Sequence, residues 1–325
     1  EGLRYNPRNA GLHWELGWIY QHKIGFILDR AHWVYKRKLA EEMGRFFEGA
    51  APDYATLASD PRAELMRNAA KLEPAVMAAI DEQYGPLDWR LPAAHALYWA
   101  YCGRQLTTAP DAWRRNCDHM ICQCSADLFR HGQLTLTDDL YFTAPDLDLL
   151  PKVLGAFESA LYSHPQEQLF AFAYINFISQ AMLITYAFNQ LEPARELFAT
   201  LQANYPGADS LDFETTAEGL LDARLADMPF VMAVPLIEGF LFQYYYWQAG
   251  GESQRAGACA KRAGEIWEHY MATRVDEEHR AQTGLPPLAA IRRHAWQRAW
   301  QEVPAAWQGP LLALLPADEA VAGQR

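Results

Sequence analysis

Cys117, His119, Cys122 and Cys124 bring four potential metal ligands into one short stretch. Thiolate and imidazole are the ligands zinc prefers. At about 100° per residue on a helix, Cys117 and Cys124 share one face while His119 and Cys122 point nearly opposite. Ligands on opposed faces do not converge on one ion, so these are expected to be packing thiols, with no metal and no cofactor. With Cys102 and Cys259 the cysteines are odd in number, so at least one lacks an intrachain partner. A chain this long needs no disulfide staple.

Asp88-Trp89-Arg90 with His95 is the other group with chemistry to offer. Trp89 and Arg90 could present a stacking face and a guanidinium fork to a peptide carboxylate or a sugar. The blander reading pairs Asp88 with Arg90 and uses Trp89 to plug a joint between helices, and it is preferred. Tyr244-Tyr245-Tyr246-Trp247 must display aromatics all round a helix, so some belong to the core and the rest could line a groove. The candidate partner-binding residues are Trp89, Arg90, His95, Tyr245 and Tyr246. His22 and His32 are expected to be satisfied or solvated histidines. No Gly-rich phosphate loop, Gly-x-Ser-x-Gly elbow or His-Glu-x-x-His pair is present. No catalytic residue is assigned, and the chain is not expected to be an enzyme.

Composition narrows the class further. Of 325 residues, 50% are hydrophobic and 21% charged, which excludes a disordered chain. A net charge of -12 argues against nucleic acid, because phosphate binding wants a basic footprint. Aromatic side chains make up 13% and supply packing or stacking surfaces.

The elements that must position these residues read as helices. Asn9 can cap a helix by accepting from a free backbone N–H, and Leu12, Leu16, Ile19 and Tyr20 follow at helical spacing. Gly17 lets a neighbouring helix approach closely. After Gly25 a second helix, from Asp29, places Ala31, Val34, Tyr35, Leu39, Met43 and Phe46 on one stripe. Asp60-Pro61 and Glu73-Pro74 are helix starts. Leu169 to Phe188 carries no charge and is long enough to span a bilayer. Asn176, Ser179, Gln180 and Thr185 within it favour a helix buried inside the fold. Asn189 and Gly250-Gly251 mark turns, and Ala194 and Ala256 the small residues where two helices meet. The expected fold is all-α: a helical array over 1–134, an irregular linker over 135–148, a second array over 149–315 and a tail over 316–325.

Leu16-Gly17, Tyr20, Gly25 and Ala31, and later Asn189, Ala194, Phe198 and Pro206, resemble the tetratricopeptide repeat. Glu1 to Pro7, Glu15 to Trp18, His22 to Gly25, Asp29 to Tyr35, Leu87 to Arg90 and His95 to Ala100 resemble a family of bacterial tetratricopeptide-like proteins common in planctomycetes and verrucomicrobia. The resemblance implies an α-solenoid of antiparallel helix pairs, with a membrane-anchoring segment upstream of Glu1. The expected function is a scaffold or adaptor subunit in a larger membrane-associated assembly, holding other subunits or peptides on a concave surface. The repeat region itself is expected to be soluble, on the periplasmic side by preference. The alternative is an all-helical carbohydrate-active enzyme or glycan binder, which the aromatic content suits.

Overall fold

The computed structural model of the chain describes residues 2–26, 29, 31–47, 52–54, 57, 60–108, 111–204, 212–225, 229–273 and 285–316. The protein is 77% helical, with 15 α-helices among the described residues and little strand. It is all-α. The chain divides into two compact units, Glu1–Ala173 and Tyr174–Arg325.

In the first unit the helices are α1 (Gly2–Tyr5), α2 (Ala10–Trp18), α3 (His32–Gly44), α4 (Pro61–Ala69), α5 (Pro74–Tyr84), α6 (Pro92–Gln105), α7 (Ala112–His131) and α8 (Leu150–Ser163). Local chemistry starts them. Asn9 accepts from Leu12 N at 3.1 Å, Asp60 from Arg62 N at 2.7 Å and Asp111 from Trp113 N at 2.7 Å, each satisfying a first-turn donor that the helix leaves free. At Gly17 a methyl group would sit 3.0 Å from Ala96 O and 2.6 Å from Met120 Sδ. A residue without a side chain is what lets α2 lie against α6 and α7. Beyond Trp18 the helix widens into a π-helical turn, Ile19–Ile24, closed by Gly25 N donating to Tyr20 O at 2.8 Å.

Two expectations differ here. Val34 stands 64% exposed, while its neighbour two positions back, His32, is fully buried, so the buried stripe of α3 is His32, Ala40 and Met43. The expected linker over 135–148 holds an antiparallel hairpin, β1 (Gln133–Leu136) and β2 (Tyr141–Ala144), with Leu134 opposite Thr143 and Leu136 opposite Tyr141. Its polar residues occupy the turn, whereas Leu134, Tyr141, Phe142, Ala144, Leu147 and Leu149 are buried. This segment therefore joins the core of the first unit and does not separate two arrays. Arg37 Nη1 holds it to α3 by donating to Thr137 O at 2.7 Å.

The division falls instead inside α9 (Gln168–Ala187). Beyond it come α10 (Leu191–Asn204), α11 (Phe213–Leu225), α12 (Phe230–Ala249), α13 (Ser253–Thr273), α14 (Leu288–Glu302) and α15 (Ala305–Leu312). Helices α9 and α12 have equal lengths, and a constant shift of 62 positions (168 to 230, 187 to 249) carries one onto the other. The same shift takes the start of α10, Leu191, to the start of α13, Ser253.

The turns between them match as well. Asn189 and Gly251 both have positive φ, 59° and 85°. Asn189 N donates to Tyr186 O and Gln190 N to Thr185 O, at 3.0 and 2.8 Å; Gly251 N donates to Gln248 O and Glu252 N to Trp247 O, at 3.2 and 2.9 Å. A left-handed residue that folds the last amides back onto helical carbonyls is a standard way to end a helix. Ala194 and Ala256, five residues beyond each turn residue, are fully buried. Pro206, the expected close of the first of these pairs, and the tail beyond 316 lie outside the described residues.

Candidate functional site

The sequence motif of the first unit is built into a joint. Trp89 is fully buried and its Nε1 donates to Asp81 Oδ2 at 3.2 Å. Asp81 also accepts from Tyr54 Oη at 2.5 Å and Leu87 N at 3.0 Å, and burial raises its pKa against these hydrogen bonds. Arg90 places its fork on Asp88, at 2.9 and 2.6 Å, and donates to Leu134 O of β1 at 3.1 Å. His95 is fully buried. Its Nε2 lies 2.9 Å from Trp89 O, an acceptor only, so Nε2 carries the proton and Nδ1 is bare. Burial holds its pKa down to about 4, so it stays neutral, stacked on Tyr20 at 4.9 Å. Trp89 and His95 thus offer nothing to a partner in this conformation, and Arg90 is committed to Asp88.

The cysteine stretch is likewise interior. Cys117, Cys122 and Cys124 are buried, and burial pushes the Cys117 thiol up to about 12 and raises those of Cys122 and Cys124 as well. Thiols so reluctant to ionise are poor ligands and poor nucleophiles. Beside them Asp118 collects Arg104 at 2.5 Å, Arg114 at 3.3 Å and His164 at 2.8 Å, so both of its oxygens are satisfied.

In the second unit the aromatic run divides. Tyr246 packs edge-on against Trp247 and Trp307, with centroids 4.9 and 5.4 Å away. The Arg255 guanidinium lies 3.6 Å from the centre of the Trp247 ring. Tyr244 and Tyr245 face a cavity of about 380 Å³ between α12, α13 and α14, walled by Leu241, Ala260, Ala263 and Leu288, with Arg292 at its edge. Tyr245 is 4% exposed and no described residue hydrogen-bonds its hydroxyl. Burial pushes its pKa up to about 12, opposed by the charge of Arg292. Arg292 itself has no carboxylate partner among the described residues. Of the five sequence candidates, Tyr245 lines this cavity.

No protein-family model, curated protein or solved structure matches this chain. The comparison available is internal, between the two related hairpins. Positions Phe198 and Leu201 of α10 correspond by the constant shift to Ala260 and Ala263 of α13. Met182 and Leu183 of α9, both fully buried, correspond to Tyr244 and Tyr245. The cavity opens where the second hairpin has lost bulk and gained hydroxyls.

Sequence reading placed Ala256 where two helices meet but had no signal for Arg292. Glu238, missed altogether, did leave one: it is the single charged residue of α12. It is fully buried and its Oε1 accepts from His294 Nδ1 at 2.9 Å and lies 3.4 Å from Arg298 Nε. Gln243 joins the hairpins. Its amide donates to Tyr186 O at 3.1 Å and Ala187 O at 2.9 Å, the last carbonyls of α9, while its oxygen accepts from Trp247 Nε1 at 3.2 Å.

Proposed function

We propose that the chain is a non-catalytic scaffold or adaptor, an α-solenoid of tetratricopeptide-like helix pairs that holds other subunits of a membrane-associated assembly. The observation that carries this reading is the recurrence of one helix–turn–helix unit, α9–α10 and α12–α13, with first helices of equal length, second helices starting at the same offset and the same turn hydrogen bonds. Units that recur and stack build extended surfaces suited to holding partners. Candidate contact residues are large apolar side chains left in solvent early in the chain. Trp18 is 40% exposed, Phe26 43% and Val34 64%.

The test is photo-crosslinking of the full-length protein in its native membranes, with a photoreactive side chain at position 18 or 34. The reading expects one recurring polypeptide partner, lost when the other position is changed to a charged residue. Absence of any polypeptide adduct, or turnover of a polysaccharide by the purified protein, would overturn it in favour of the carbohydrate-active alternative.

A further inference from the structure

We propose that the cavity between α12, α13 and α14 is a binding site for an anionic amphiphile, whose apolar body lies against Leu241, Ala260, Ala263 and Leu288 and whose carboxylate pairs with Arg292. This goes beyond the scaffold reading and stands or falls without it.

Four features on three helices converge. The first is room: about 380 Å³ falls in the range of small-molecule sites, roughly 300–1,000 Å³. The second is how that room arises. The first hairpin buries Phe198 and Leu201, and Phe198 lies against Phe213 with ring centroids 5.6 Å apart. The second hairpin, which repeats the first helix and the turn, has Ala260 and Ala263 there, and among the described residues Leu314 and Pro316 reach the same cavity without filling it. Protein interiors are close-packed, and voids larger than a water molecule are few. Volume vacated and left open is room that a ligand can take.

The third feature is chemistry. A hole left by chance would be lined by hydrocarbon, as Met182 and Leu183 would line it in the first hairpin; the second places Tyr244 and Tyr245 at those positions. Tyr245 is almost wholly buried but no described residue hydrogen-bonds its hydroxyl, which is left to meet whatever occupies the cavity. The fourth is charge. One turn along α12 from Leu241, Glu238 is already matched by His294 and Arg298. Arg292 is the surplus cation of α14, in a chain whose net charge is -12. A guanidinium with no acid of its own, at the mouth of an aromatic-walled cavity, is suited to bidentate recognition of a carboxylate.

The experiment is calorimetric titration of the whole chain with decanoate and, as the uncharged control, decan-1-ol. The expected result is one decanoate per chain and weaker binding of the alcohol. R292Q, at an exposed position, should weaken decanoate about tenfold, as loss of a charge-assisted hydrogen bond does, and leave the alcohol unchanged. A260F/A263L, which restores the residues of the first hairpin, should bind neither while keeping its helical circular dichroism. No decanoate binding by the wild-type chain, equal affinity for acid and alcohol, unchanged affinity in R292Q, or binding that continues without saturation past one per chain would each overturn the proposal. Should A260F/A263L fail to fold, the R292Q comparison decides the matter alone.

Discussion

Phe198 in the first of the two related hairpins and Ala260 in the second stand at the same place, and their surroundings have followed them. Around Phe198 the joint is closed by aromatic packing: Phe213 meets it at 5.6 Å and takes the edge of Tyr186 at 5.8 Å. Around Ala260 the third helix, α14, contributes Leu288 and Arg292 to the wall of a cavity. The backbone device is the same in both, down to the left-handed turn residue and the amides it folds back. A shared backbone with a changed filling separates what the repeat needs from what one copy has been given. The turn, the buried alanine and the length of the first helix belong to the repeat. The hydroxyls belong to the second copy, and the guanidinium at the cavity's edge is brought by α14.

That contrast is easiest to break where packing is tightest. Phe198→Ala should empty a filled joint and cost about 3–5 kcal/mol, as large aromatic truncations do, read as a fall in the urea midpoint. A loss near zero would mean that the first joint is no better filled than the second. Gln243→Leu comes next. It strands the Ala187 carbonyl, while Tyr186 O keeps Asn189 N, and should cost about 1–3 kcal/mol, the usual penalty for a buried group left unpaired. Hydrogen exchange should quicken in both hairpins, because this one amide ties the end of α9 to α12 and α13; quickening confined to α12 would show that the hairpins are independent.

Ala194→Leu should overpack a fully buried contact at about 1–3 kcal/mol. Ala256→Leu should cost less, since Ala260 and the cavity lie one turn further along the same helix. Equal costs would remove the cavity from the account. The smallest effect is at the turns. Gly251→Ala should lose about 1 kcal/mol, because a left-handed backbone disfavours a side chain, whereas Asn189→Gly should be neutral or slightly stabilising. Thermal midpoints of the two variants would show the opposite signs.

These turns also mark what the sequence discloses. Asn189, Gly251, Ala194 and Ala256 are legible because a helix end and its first close contact are decided within a few residues. The caps at Asn9 and Asp60 and the small residue at Gly17 are legible for the same reason. The hairpin over 133–144 is not, because its strands are four residues long and their apolar side chains are buried only by helices far off in sequence. Val34 leaves the expected stripe because α3 begins only at His32, and which of its faces turns inward is set by packing against elements distant in sequence. The cavity was half legible. Ala260 and Ala263 announce a missing volume, but whether a neighbour fills it depends on α14, which arrives from the far end of the chain. Arg292 and the Glu238–His294 pair depend on the same arrival.

The most direct test of the central claim, that the second hairpin is the first with its joint deliberately emptied, is the urea unfolding midpoint of A260F/A263L. If the two joints are equivalent, installing Phe and Leu fills existing space and the midpoint is unchanged or raised. A midpoint lowered by the 1–3 kcal/mol typical of an overpacked core would contradict the claim, since it would show that no space equivalent to that of Phe198 and Leu201 exists there.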